Sequence, residues 1–115
     1  PGPRASGTLE SHYAPSAAVR LMDAKALQAA LDLLASAQAP GARPTIALYH
    51  RSPLHVRSPL VAAHRMPNHA QPAAHELFAK LREMDAQGVK LIWVEAPPDA
   101  PEWDGVRDRL TRAAA

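Results

Sequence analysis

The sequence predicts an α/β layered domain in which a mainly parallel four-stranded sheet is flanked by three helices. Three observations carry this. Short apolar runs of strand length alternate with segments whose apolar residues recur at spacings of three and four. The run Leu91, Ile92, Trp93, Val94 is continuous, the pattern of a strand covered on both faces. The 12 prolines fall between the apolar segments instead of forming a low-complexity tract. A chain of 115 residues with 47% hydrophobic content is enough for one domain around one core, and too short for a catalytic domain plus a separate partner domain.

Residues 1–18 carry Pro1, Pro3 and Pro15 with Gly2 and Gly7 and show neither a strand nor a helix period, so they read as an extended linker preceding a domain at 19–115. The opening on Pro1 points to a processed start or to a piece of something longer. Val19, Arg20, Leu21 and Met22 form a short strand, and Asp23 is an N-cap acceptor for the helix that follows. Ala24, Leu27, Leu31 and Leu34 put one apolar stripe on that helix, which ends before Pro40 and Gly41. Thr45–Tyr49 is a second, buried strand; residues 50–59, with Ser52, Pro53, Ser58 and Pro59, are a loop; Leu60–Arg65 is a third strand that Pro67 terminates. The short link leaves the relative direction of these two strands open. Pro72 suits the first turn of a helix whose apolar face is Ala74, Leu77, Phe78, Leu81 and Met84, stopped by Gly88. Lys90–Glu95 is the fourth strand, central in the sheet. Asp99 and Glu102 resemble a capping box, with Pro101 in the first turn of a last helix that buries Trp103, Val106, Leu110 and Ala113 and pairs Asp108 with Arg112 on its solvent side.

Much chemistry is excluded. The absence of cysteine removes disulfides, thiolate zinc sites and a cysteine nucleophile, and fits a reducing compartment. No apolar run of about 18 residues exists to cross a membrane and the start is unlike a signal peptide, which implies a cytoplasmic protein. The glycines form neither a dinucleotide fingerprint nor a phosphate loop. His50, His55, His64 and His69 do not align two ligands on one helix face, so no metal site is expected. Ser11 beside His12 has no nucleophile elbow around it, and no catalytic residue is assigned. Glu76, Glu83 and Asp85, like Asp104 and Asp108, read as carboxylates on solvent-facing helix surfaces, and Trp93 and Trp103 as core anchors.

Two sets of residues remain as candidate sites. In parallel sheets ligands sit outside the carboxyl ends of the strands, which places His50, Arg51, Asn68 and Glu95 at a crevice. The net charge is only +2, but residues 33–75 hold Arg43, Arg51, Arg57 and Arg65 and no acidic residue, a basic block with five histidines and one aromatic, Tyr49. Phosphate contact is the function that block suggests, against a solvated basic face without a ligand.

Beyond these patterns, Ser6-Gly7-Thr8-Leu9-Glu10-Ser11-His12-Tyr13-Ala14-Pro15 resembles the interdomain linker of the two-domain bacterial and archaeal threonylcarbamoyl-AMP synthases. Leu77–Val94, then Glu95-Ala96-Pro97-Pro98, then Asp108–Ala114 resemble successive segments of the small C-terminal domain of that family. The resemblance implies a Rossmann-like fold without activity of its own. It also implies a YrdC-like catalytic domain as partner in the same polypeptide, which binds ATP with Mg and makes threonylcarbamoyl-AMP and pyrophosphate from threonine, bicarbonate and ATP, for the threonylcarbamoyladenosine modification of tRNA. This chain would hold no cofactor. Its Ser11, His12, Tyr13 and Pro15 would belong to a lid across the mouth of the catalytic pocket, anchored by the domain that follows. Such a segment suits a lid: Pro15 keeps Ala14 extended, and His12 and Tyr13 offer polar groups to phosphate or substrate. Two other expectations stand beside this one: a small-ligand or nucleotide sensor using the His50, Arg51, Asn68, Glu95 crevice, and a tRNA-docking module using the Arg43–Arg65 block, whose binding would fall with salt.

Overall fold

The computed structural model describes residues 15–36 and 43–115. Four strands, β1 (Ala18–Met22), β2 (Ile46–His50), β3 (Val61–Arg65) and β4 (Leu91–Glu95), form one sheet in the order β1-β4-β2-β3. Every pairing is parallel, which settles the direction of β2 against β3. Three helices flank the sheet: α1 (Ala24–Leu34), α2 (Ala70–Ala86) and α3 (Asp104–Ala114). This is the expected α/β class, with the sheet all-parallel.

Alternation along the strands makes two cores from one sheet. Ala47 and Tyr49 of β2, Ile92 and Val94 of β4, and Val19 of β1 face α2 and α3, where they meet Leu77, Leu81, Met84, Trp103, Val106 and Leu110. The opposite face presents Ile46 and Leu48 to Leu27 and Leu31 of α1, with Leu91 and Trp93 of β4 packed alongside. β4 lies between β1 and β2, so its uninterrupted apolar run is consumed by both layers. Leu48 and Ile92 are completely buried, and side chains of this size stabilise the fold by roughly 1.5–3 kcal/mol each when fully removed from water.

No helix connects β2 to β3. The link at 51–60 lies on the α1 side instead, where Leu54 and Val56 pack on the core. Gln28 of α1 holds the backbone of His55 from both sides, accepting from its N–H at 2.8 Å and donating to its carbonyl at 3.1 Å. Pro53 and Pro59 cost nothing here, because this stretch has no ladder hydrogen bonds to lose.

The ends of the elements follow local chemistry. Asp23 has extended backbone, and its carboxylate accepts from the Ala26 N–H at 2.8 Å, capping α1 as its position predicts. The end of that helix at Leu34 is described, whereas Pro40 and Gly41 lie outside the described residues. Pro72 occupies the first turn of α2, and Gly88 adopts φ +79° just past its end, a backbone that favours glycine. The capping box at Asp99 is not formed. A single 3-10 turn, Pro101–Trp103, opens from Ala100 without a side-chain cap, and α3 starts only at Asp104. The turn buries Trp103 against the core, while the exposed Asp99 is left outside the cap position. On α3 the Asp108 to Arg112 ion pair forms at 2.9 Å.

Candidate functional site

At the carboxyl edge of the sheet, β2 ends in His50 and β4 in Glu95, both buried. The parallel register sets Tyr49 beside Val94, so the residue following β2 in the chain turns across the end of β4. There Glu95 gathers donors. Its Oε1 accepts from the backbone N–H groups of Arg51 and Ser52, each at 2.8 Å. Its Oε2 accepts from the Ser52 hydroxyl at 2.6 Å and from the Arg51 guanidinium at 3.2 Å. Burial pushes the Glu95 carboxyl up, but the Ser52 hydroxyl, the two amides and the Arg51 charge outweigh it and hold the group below the ordinary carboxylate value.

Arg51 is fixed equally well. Its Nη2 also donates to the Ala96 carbonyl at 2.6 Å, and its guanidinium lies 5.4 Å from the Trp103 ring centroid. His50 Nδ1 is 2.7 Å from the Ser52 carbonyl oxygen. Of the four residues expected at the crevice, three thus form one network, while Asn68 stands exposed in the link from β3 to α2, outside it. The network is internally bonded. The two successive amides that would face an anion at this edge already face Glu95. Three surface depressions, lined respectively by residues of α3, by Arg43, Pro44, Ala62 and Gln87, and by residues of α2 and α3, take no lining from the Glu95 network. The Arg51 and Ser52 amides at the carboxyl edge are taken by Glu95, while Arg51 Nε is buried without a hydrogen-bond partner among the described residues.

The arginines of the basic block separate. Arg51 is drawn inward by Glu95, Arg43 lies exposed before the amino end of β2, Arg65 lies exposed at the carboxyl end of β3, and Arg57 is exposed in the β2–β3 link. Sequence spacing predicted a common basic face, and the sheet puts Arg43 and Arg65 at opposite ends of two paired strands. Among the described residues no group of three or more His, Asp or Glu side chains is placed to hold a metal ion, and no helix is long and apolar enough to cross a membrane.

Two carboxylates read from the sequence as solvent-facing have specific partners. Glu76 accepts from the hydroxyl of the buried Tyr49 at 2.5 Å. Asp85, in the last turn of α2, accepts from the Ala17 N–H at 2.9 Å and the Ser16 N–H at 3.0 Å. A carboxylate at a helix C-terminus meets the negative end of the helix dipole, an unfavourable placement by about 0.3–1 kcal/mol, and the last turn itself holds no basic residue. The two amides of the incoming chain supply the compensating interaction. Pro15, half-buried, immediately precedes this clamp, whereas Ser11, His12 and Tyr13 lie outside the described residues.

The layers define a Rossmann-like α/β domain whose Ser16 and Ala17 amides rest on the Asp85 carboxylate and whose carboxyl edge is bonded around Glu95. The sequence model of the threonylcarbamoyl-AMP synthase C-terminal domain matches residues 1–115, and the chain belongs to that family. Among solved structures the fold is similar to that of P. abyssi Sua5, crystallised with L-threonine, at a TM-score of 0.64 and 24% sequence identity. The match covers 90% of this chain and 29% of the other, so the chain spans under a third of that neighbour. No curated protein matches the chain.

Proposed function

We propose that this domain anchors the linker at 1–18 as a lid over the catalytic pocket of a threonylcarbamoyl-AMP synthase, governing turnover without supplying chemistry. The observation that carries the reading is the Asp85 clamp on Ser16 and Ala17, which fixes the linker's domain end to α2 beside Pro15. A lid closes reproducibly only when one end is held, because water exclusion and reactant positioning depend on where its polar groups arrive. In this reading Ser11, His12 and Tyr13 reach the pocket of a YrdC-like domain of the same polypeptide, in the cytoplasm. That domain binds ATP with Mg and makes threonylcarbamoyl-AMP from threonine and bicarbonate, for tRNA modification. Membership of the family supports the partner.

The test is pyrophosphate release from ATP, threonine and bicarbonate, measured for this chain, for a separately made catalytic domain, and for the two joined. The chain alone is expected to be silent, and the joined protein to differ in rate from the catalytic domain. Tyr13→Ala in the joined protein is expected to change rate or substrate affinity; no change in either would remove the lid role.

A further inference from the structure

The outward face of α1 lies open to solvent. Leu27 and Leu31 point into the sheet, and at about 100° per residue the opposite side of the helix is centred on Ala29, with Lys25 and Asp32 on one flank and Ala26 and Leu33 on the other. All five are exposed. Leu33 is 80% exposed and is the one large hydrophobic side chain in open solvent among the described residues. α2 and α3 pack on the other face of the sheet, so neither stands beside α1 to cover it.

The two charges on this face oppose their own helix. Lys25 stands in the first turn, at the positive end of the dipole, and Asp32 in the last turn, at the negative end; the first turn holds no acidic residue and the last no basic one. Asp32 accepts from the Gln28 amide at 2.9 Å, and among the described residues neither Lys25 nor Asp32 makes an ion pair. Within one copy of the domain this placement gains α1 nothing.

We propose that this face is a self-association surface, on which two copies of the domain pack α1 against α1, antiparallel and related by a two-fold axis. An axis crossing beside Ala29 carries each flank onto the same flank of the other copy with its ends exchanged. Lys25 then meets the partner's Asp32, and Leu33 covers the partner's Ala26, both contacts occurring twice. Each charge also arrives at the favourable end of the other helix's dipole. Ala29 at the crossing lets the helix axes approach to about 8 Å. A parallel pair would set Leu33 against Asp32 and Lys25 against Ala26, so the pattern of charge and bulk selects the antiparallel arrangement and a second copy as the occupant.

The experiment is analytical ultracentrifugation of this chain at low salt, up to about 1 mM protein. One helix pair buries less than the roughly 1,200 Å² of a standard interface, so a dissociation constant on the order of 0.1–1 mM is expected. Lys25→Glu and Asp32→Lys, each alone, set like charges opposite one another and should weaken association about tenfold. An equimolar mixture of the two variants pairs Glu with Lys on both sides of the axis and should return to the wild-type affinity. Leu33→Asn should also weaken association about tenfold. Each charge swap puts a favourable charge at its end of the helix, so the variant monomers should melt no lower than wild type, which separates a lost contact from a lost fold. Three results would each overturn the proposal: a chain that stays monomeric at the highest concentration, which would leave the face to a different protein surface; association indifferent to Leu33→Asn; or a mixture of the two swaps that associates no better than either alone, which would exclude the antiparallel register.

Discussion

Ser52 donates its hydroxyl to Glu95 at 2.6 Å while its backbone N–H reaches the other oxygen of the same carboxylate at 2.8 Å, so one residue of the β2–β3 link grips the end of β4 twice. Arg51 adds its own amide and guanidinium. The effect is to sew two neighbouring strands together where the ladder ends, at the edge where α/β domains admit ligands.

Removing the Glu95 carboxylate should be costly, because Arg51 and two amides would be left buried without their acceptor. Breaking a buried pair from one side costs about 3–5 kcal/mol, and the partial exposure of Arg51 places Glu95→Ala near ~3 kcal/mol. Urea denaturation checks this. A loss below about 1 kcal/mol would mean that the network behaves like a surface ion pair.

The same carboxylate gives an acid dependence of known sign. Its native value lies below the ordinary 4.5, so the folded state favours the charged form. That stability is complete above the unfolded value and is lost as pH falls through the lower native one. Wild type should therefore exceed Glu95→Gln most at neutral pH, with the gap narrowing below pH 4.5. A gap that stays constant down to acid unfolding would assign the interaction to shape and not to charge.

Tyr49 predicts the opposite limb. Burial, then the hydrogen bond and charge of Glu76, raise its hydroxyl far above the ordinary value of 10.0. The native state thus keeps a proton that the unfolded chain releases, and stability present below pH 10 is lost as pH rises beyond it. Tyr49→Phe should lose about 1.5–3 kcal/mol at neutral pH and show a flatter alkaline limb, read by thermal melts across the range. Equal alkaline slopes in the two proteins would exclude Tyr49 as the cause.

The strands and helices were legible because each sits on a periodic apolar pattern: the Leu27, Leu31 stripe, the Leu77, Leu81, Met84 face and the continuous run at Leu91–Val94 all point to what they bury. The parallel course of β3 was not legible, since a helix-free link of ten residues is also compatible with an antiparallel return. The site was read in part. Position at strand ends brought His50, Arg51 and Glu95 into one list, and the structure joins them, yet sequence gave no sign that the acid and the base satisfy each other instead of a ligand. Asp85 and Glu76 were read as solvent-facing because their partners are a backbone stretch 68 and 69 residues away and a tyrosine 27 residues away. No spacing rule on one helix reports such contacts. One signal was available: an aspartate in the last turn of a helix opposes the dipole, which asks for an external donor.

That donor relationship makes the final prediction the most specific. Asp85→Ala removes the acceptor of the Ser16 and Ala17 amides but leaves α2 free of an unfavourable charge at its end, so the two effects oppose one another in global stability. The net change in thermal midpoint should be small, within about 1 kcal/mol, while amide exchange at Ser16 and Ala17 should accelerate well beyond any change at Val19 or Ile92 in the sheet. Asp85→Asn keeps an acceptor oxygen without the charge, and it should restore much of the protection. If exchange at Ser16 and Ala17 stays slow in Asp85→Ala, the leading segment is held by something other than this carboxylate. If Val19 and Ile92 accelerate equally, the carboxylate supports the sheet as a whole. Only the local pattern makes Asp85 a clamp on the segment that leads into the domain, with β1 and the sheet indifferent to its loss.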